Sequence, residues 1–334
     1  MSDSTNAAPT VTVILPTLNE RGFIRDCLDA LLAQDYGAIE EILVVDGGSG
    51  DGTRDIAEAG PSLVRVVENP NVTAAAAMNV GLREAKGEVI VRADAHTVYA
   101  SDYVRCCVDV LSETGADNVG GPMRPIGTTR FGRAVAAATS LPIGVGSGRF
   151  HYSRRREEVD TVYLGCWRRS TLETLGGWDE SRLQWAAEDQ ELNFRLRQRG
   201  GRVLLDPSIR STYFVRETPR AVARQYHNYG VCKASTLVKH RSLPTLRPLA
   251  PAALILAAGV GLVGGRGWGK VAVPLLHAVV TGAAVGRASD RRVDPVRTWA
   301  VVEICHWTYG IGFWSGLRRA LVGRGFDTRP QGHR

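Results

Sequence analysis

The sequence predicts an α/β protein with a mostly parallel central sheet, followed by hydrophobic helices suited to a membrane. Three observations carry this. From Val11 onward, short β-branched apolar runs alternate with amphipathic helical patterns. Two of those runs close on an aspartate, Asp46 and Asp94. Beyond Pro248, nearly uncharged stretches replace the mixed composition of the rest.

The elements follow in order. Residues 11–15 read as a strand ended by Pro16. Residues 21–34 place Phe23, Ile24, Cys27, Leu28, Leu31 and Leu32 on one helical face. Residues 42–45 form a short, fully apolar strand closed by Asp46 and a glycine-rich turn. A strand at 63–67, an alanine-rich helix at 73–85 and a strand at 89–91 continue the alternation, which argues for a sheet covered on both faces. From about 120 to 240 the chain is richer in Arg, Gly and aromatic residues and reads as a second lobe that completes a cleft. Residues 249–264 and 271–285 are then almost free of charge, and 299–317 is apolar apart from Glu303 and His306. The expectation is a membrane hairpin plus a third helix that spans or lies in the interface.

Charge points the same way. The net charge of +7 sits in the last quarter, where 13 Lys and Arg face 4 Asp and Glu after position 240. Basic residues among apolar runs suit an anionic membrane surface, and nucleic acid is not an expected partner. The first loop between apolar segments holds Arg266 and Lys270, and the second holds Arg287, Arg291, Arg292 and Arg297. The richer loop belongs inside, so the catalytic lobe is expected on the cytoplasmic face of the plasma membrane. The basic tail prefers the same side, so 299–317 is expected not to cross fully. The first nine residues lack the apolar stretch of a signal peptide. None of the six cysteines has zinc-ligand or CxxC spacing, which fits reduced thiols.

In a parallel sheet, ligands bind at the carboxyl edge of the strands. Asp46 at such a tip would repel a pyrophosphate but could accept hydrogen bonds from ribose or a base. Asp94 and His96 lie two residues apart, on one side of an extended segment, and suit a divalent cation such as Mn²⁺ or Mg²⁺. Asp189 precedes a helical pattern at 190–199, so its carboxylate sits in a first turn where the helix dipole favours the ionised form. The pair Glu188–Asp189 could also serve only as a helix cap.

Taken together, Pro16-Thr17-Leu18-Asn19-Glu20, Asp46-Gly47-Gly48-Ser49 with Asp51-Gly52-Thr53, Asn79 before Gly87, and Asp94-Ala95-His96 resemble the nucleotide-binding half of family 2 glycosyltransferases of GT-A fold. Gly176-Gly177-Trp178-Asp179-Glu180 and Glu188-Asp189 resemble the acceptor-side motifs of that family, in the same order. The resemblance covers residues 10 to 215 and is nearest the branch that builds succinoglycan and related exopolysaccharides. It implies a Rossmann-like nucleotide-sugar domain and an inverting, metal-dependent transfer of a hexose from a nucleotide-diphosphate sugar, by family habit a UDP-sugar. The acceptor would be polyprenyl-linked or a polysaccharide.

By the same resemblance, Pro16, Thr17, Glu20, Asp46 and Asp94 hold the nucleoside, and Asp94 and His96 hold the metal. Asp189 is the general base, and Trp178, Asp179 and Glu188 sit at the acceptor or donor site. His96 stands where the family usually has an aspartate. Gln225 and His227 fall where processive members carry Gln-x-x-Arg-Trp, and Asn228 and Tyr229 replace the last two, which favours single-sugar addition. The implied organisation is a disordered 1–9, a nucleotide half at 10–120, an acceptor half at 121–240, membrane helices at 241–320 and a basic tail at 321–334. The arginine runs at 154–156 and 168–169 are either a solvated surface or a contact for a lipid-borne phosphate. Two alternatives use the same residues differently: a sugar-nucleotidyltransferase, and a catalytically silent scaffold that binds a nucleotide sugar.

Overall fold

The computed structural model describes residues 7–146, 148–180, 188–242, 246–288 and 293–322. The alternation in the sequence becomes β1 (Val11–Thr17), α1 (Ile24–Leu32), β2 (Ile39–Asp46), α2 (Thr53–Glu58), β3 (Val64–Glu68), α3 (Ala74–Glu84) and β4 (Val89–Arg92). After these come β5 (Thr97–Tyr99), α4 (Tyr103–Thr114), β6 (Asn118–Gly121), β7 (Met123–Ile126), α5 (Arg130–Thr139) and α6 (Pro142–Val145). The next stretch holds β8 (Glu157–Glu158), β9 (Tyr163–Arg168), α7 (Arg169–Leu175), α8 (Glu188–Gln198), β10 (Val203–Leu205) and β11 (Ser211–Phe214). Four helices end it: α9 (Pro219–His240), α10 (Leu249–Gly264), α11 (Ala272–Ala288) and α12 (Pro295–Leu321).

Eight strands form one sheet in the order β3-β2-β1-β4-β9-β6-β10-β8. β1 runs parallel to both β2 and β4, whereas β9 is antiparallel to its neighbours β4 and β6. Alternate residues of β1 serve opposite faces. Val13 and Leu15 pack with Leu28, Leu31, Val104 and Leu111, while Ile14 packs with Met78, Ile90, Trp167 and Leu172. Both faces are therefore covered, which is why the strands carry no polar alternation. A second, three-stranded sheet, β5-β11-β7, stands at the carboxyl edge of the first half and lends Tyr213 to the cleft.

The C-terminal expectation needs correction. The three apolar segments do form helices, but no helix among the described residues is long and apolar enough to cross a membrane. α10 and α11 have 16 and 17 residues. α12 has 27, and much of it is buried by protein: Val301, Val302, Cys305 and Phe313 are inside. It lies along α9 with backbones nearly touching. A Cβ placed on Gly230 would overlap the Tyr309 carbonyl oxygen, and one on Gly312 would overlap that of His227. α10 and α11 differ. They leave Leu256, Val260, Val263, Leu276 and Val279 more than half exposed, and Trp268, between them, is 83% exposed. The expected tail arginines Arg324, Arg329 and Arg334 lie outside the described residues, as do Arg291, Arg292 and the first six positions of the expected disordered N-terminus.

The α9–α12 crossing predicts a specific sensitivity. Gly312→Val forces a side chain against backbone and should destabilise the fold by about 3 kcal/mol, measurable by denaturant unfolding, whereas Gly286→Val in open space should cost well under about 1 kcal/mol.

Candidate active site

The order in which strands are added to the sheet reverses between β1 and β4, and a cleft of 2130 Å³ opens beyond their carboxyl ends. Pro16, Thr17, Glu20, Asp94, His96, Glu188, Asp189 and Gln225 all line it. Side chains from residue 16 to residue 225 are thus brought into one cavity.

The loops after β1 and β2 are stitched together by local hydrogen bonds. Asn19, in the left-handed region at φ +56°, donates its backbone N–H to Ser49 Oγ (2.9 Å), and its side-chain oxygen accepts from Gly50 N (3.0 Å). Asp51 accepts from Arg21 N (3.0 Å) and from Thr53 Oγ1 (2.5 Å). Asp46 is used in the same way. Its carboxylate accepts from Gly48 N and Ser49 N, both at 3.0 Å, and from Ser49 Oγ at 2.5 Å. It is 2% exposed and does not line the cleft. The convergence expected of Asp46, Asp94, His96 and Asp189 therefore holds for the last three, while the Asp46 side chain closes its own turn.

Asp94 and His96 reach the cleft together. Among the described residues, no three His, Cys, Asp or Glu side chains gather as a metal cluster. Two observations still fit a divalent ion. His96 Nδ1 is buried without a hydrogen-bond partner, and Glu20 Oε1 stands 3.7 Å from it. Two protein ligands with the remaining positions left to phosphate oxygens and water is the usual manner of Mg²⁺-type binding to nucleotides.

Asp189 stands in the first turn of α8, facing the cleft. Trp178 Nε1 donates to its Oδ1 at 2.8 Å and Arg92 Nη1 to its Oδ2 at 2.6 Å. Burial raises its pKa to about 6; Arg92 and Trp178 oppose that rise, while Glu188 and Asp94 add to it. The carboxylate is thus ionised at neutral pH yet far more basic than a surface aspartate, as a general base requires. Trp178 does not line the cleft itself; it is buried behind Asp189 and its loop is pinned by Asn79. Asn79 Oδ1 accepts from Trp178 N (2.8 Å), and its Nδ2 donates to Trp178 O (2.8 Å) and Glu180 Oε1 (2.7 Å). Gly177, at φ +69°, lies so close to Asn79 that a Cβ would strike its amide.

Other expected residues have different duties. Asp179 pairs with Lys239 at 2.7 Å, which ties its loop to α9. Gln225 donates to Tyr213 Oη (3.3 Å) and Tyr229 Oη (3.0 Å). His227 lies off the cleft, with its carbonyl under α12. Several members of the arginine runs are already engaged within the protein. Arg168 and Arg169 donate to backbone carbonyls, and Arg156 is held by Glu113 and Asp206. Sequence reasoning missed Arg92 and a set of cleft arginines: Arg216, Arg220, Arg224 and Arg247 line the cavity, and none is bonded to a carboxylate among the described residues. The i, i+4 spacing of Arg220 and Arg224 before Gln225 was the available signal.

A crevice beyond the carboxyl edge of a mostly parallel sheet, lined by Asp94, His96 and an Asp189 of raised pKa, is the arrangement of a GT-A fold. Residues 12–169 match the profile of Glycosyl transferase family 2. Succinoglycan biosynthesis protein ExoA of Rhizobium meliloti is 29% identical over 95% of this chain and 98% of its own length. A dolichyl N-acetyl-glucosaminyl phosphate diacetamido-dideoxy-glucuronosyltransferase of Methanococcus voltae is 24% identical over 69% of this chain and 74% of its own. Among solved structures, the mannosyltransferase PcManGT of Pyrobaculum calidifontis, in complex with GDP-Man and Mn²⁺, superposes with TM-score 0.59 at 24% identity. That likeness covers 92% of this chain and 88% of that one. S. aureus TarS 1-349 in complex with UDP gives 0.51 at 16%, over 96% and 94%. These likenesses give the fold.

The site makes a pH-dependent prediction. A carboxylate with raised pKa loses its basic form as pH falls through about 6, so transfer should decline below that point. Trp178→Phe removes a hydrogen bond to the ionised form, so its acid limb should move to higher pH, read from kcat against pH. Asp189→Asn should lower kcat by about 10²–10⁴ at neutral pH, and the deficit should narrow as pH falls below about 6.

Proposed function

We propose that this protein is an inverting glycosyltransferase that moves a single hexose from a nucleotide-diphosphate sugar to a hydroxyl of a lipid-linked acceptor, at the cytoplasmic face of the plasma membrane. The observation that carries this reading is the continuity of the cleft. It joins Asp94 and His96 to Asp189, then runs past Arg216, Arg220 and Arg224 to Arg247, Pro251 and Leu254 at the start of α10.

Thr17, Glu20 and Asp94 face the nucleoside end. A divalent cation held by Asp94 and His96, with Mn²⁺ as in PcManGT, would offset charge on the diphosphate. Asp189 takes the proton of the acceptor hydroxyl as its oxygen attacks the anomeric carbon, and the nucleoside diphosphate leaves from the opposite face. One displacement inverts the sugar. Arg216, Arg220 and Arg224 offer charge-assisted hydrogen bonds to phosphate, and Gln225 lies beside them. Arg247 stands where the cleft meets the apolar helices, a place suited to the phosphate of a lipid carrier.

The exposed faces of α10 and α11 support attachment to the membrane. An apolar pair with Arg266, Trp268 and Lys270 at its turn suits the headgroup boundary. The pairing of Asp189 with a cleft metal site separates this reading from a silent scaffold. The acid Glu20, where a nucleotidyltransferase needs a basic triphosphate loop, separates it from that alternative.

Purified protein incubated with Mn²⁺ or Mg²⁺ and a panel of UDP-, GDP- and other nucleotide sugars should release nucleoside diphosphate from one donor, slowly alone and faster with a lipid-diphosphate acceptor. Conversion of a nucleotide sugar and added diphosphate to nucleoside triphosphate and sugar-1-phosphate, or no turnover of any donor, would reject the proposal. Arg247→Gln should raise the acceptor KM about tenfold with the donor KM nearly unchanged. Flotation with vesicles rich in anionic lipid should carry the protein upward, and Leu276→Glu with Val279→Glu should abolish it.

A further inference from the structure

Arg92 has no part in the roles assigned so far, although it is the most enclosed cation at the site. It ends β4, two residues before Asp94, and is 7% exposed. Its Nε donates to Asp94 Oδ1 at 3.2 Å. From Nη1 it donates to Glu188 Oε1 at 2.8 Å and to Asp189 Oδ2 at 2.6 Å. One planar guanidinium therefore joins the strand tip of the nucleotide side to the first turn of α8 on the acceptor side.

A buried ion pair that served stability alone would need one carboxylate. Here one cation meets three, which leaves an excess of negative charge where desolvation is expensive. Such an excess is tolerable where further positive charge arrives with a ligand. The geometry at Asp189 is equally pointed. Arg92 occupies one lone pair of Oδ2 and Trp178 one of Oδ1, so the carboxylate plane is fixed from both ends. Each oxygen keeps a second lone pair able to accept a hydroxyl proton.

We propose that Arg92 is a positioning residue for sugar transfer, holding the Asp189 carboxylate at a fixed place relative to Asp94 so that acceptor oxygen and anomeric carbon meet in line. This rests on the reading of Asp189 as the base. In the step itself the acceptor O–H bond breaks and its proton passes to Asp189. The acceptor oxygen bonds to the anomeric carbon, and the bond from that carbon to the diphosphate oxygen breaks with its electron pair on the diphosphate. Arg92 neither gives nor takes a proton. A fork of separated nitrogens is required for this task, because two donors must reach acids on two different elements at once.

Arg92→Lys keeps the charge but replaces the fork by a single ammonium. The expected result is a nucleoside-diphosphate affinity, by calorimetry with Mn²⁺, within about threefold of wild type and a transfer kcat lower by about 10²-fold with donor KM little changed. Arg92→Gln combined with Glu188→Gln removes one charge of each sign and should show the same split if the lysine variant does not fold. Transfer within about twofold of wild type in either variant, or loss of nucleotide affinity in proportion to kcat, overturns the proposal. Failure of both variants to fold assigns Arg92 to stability and overturns it as well. Asp189→Asn distinguishes the two readings. If that variant still transfers, the base assignment fails whatever Arg92 does; if it is inactive while Arg92→Lys is normal, only the role of Arg92 fails.

Discussion

The reversal of strand order at β1 and β4 is the constraint on which the rest of the molecule depends. β2 and β3 lie to one side of β1, and the chain then returns to place β4 on the other. The loops that follow these two strands must part in opposite directions, and a crevice opens that no helix of the first half can fill. Everything chemical is referred to that gap. The Asp94–His96 segment leaves β4 directly into it. The loop 16–20 leaves β1 beside it and is held by the turn after β2. α8 brings Asp189 from the opposite wall, and α9 closes the far side with Gln225, Tyr229 and Lys233.

Much of this was legible in the sequence because parallel strands buried on both faces leave a strong apolar record. The strands at 11–15, 42–45, 63–67 and 89–91 appear where expected, though the first is two residues longer and the second twice as long, starting at Ile39, and the helix expected at 73–85 spans Ala74–Glu84 with Thr73 as its cap. The tips were legible for the same reason: an acid directly after an apolar strand stands out. Asp94, His96 and Asp189 share one cavity, as the ordered motifs implied.

Other features left no such record. Arg92 meets carboxylates 96 and 97 positions away, and no local pattern foretells that. The turn at Asp46 shows how a motif residue can spend its hydrogen bonds within three positions of itself, an outcome that periodicity does not distinguish from contact with a ligand. The burial of the helix at 299–317 against α9 was not foreseen, for a physical reason. Apolar composition says that water is excluded, but not whether lipid or protein excludes it. Gly312 and Gly316, four apart on the side facing α9, and Gly310 on the side facing α10, were the mark of close approach to other backbones.

That approach has a mechanical consequence. α12 touches α10 where Gly310 meets the Pro251 carbonyl, and touches α9 where Gly312 meets that of His227. Contacts between main chains have no side-chain cushion to absorb a shift, so α12 acts as a stiff rod between the outer helices and the cavity wall. A sideways shift of α10 would press through α12 on the helix bearing Gln225 and Lys233, so the outer hairpin and the cleft wall are in mechanical contact.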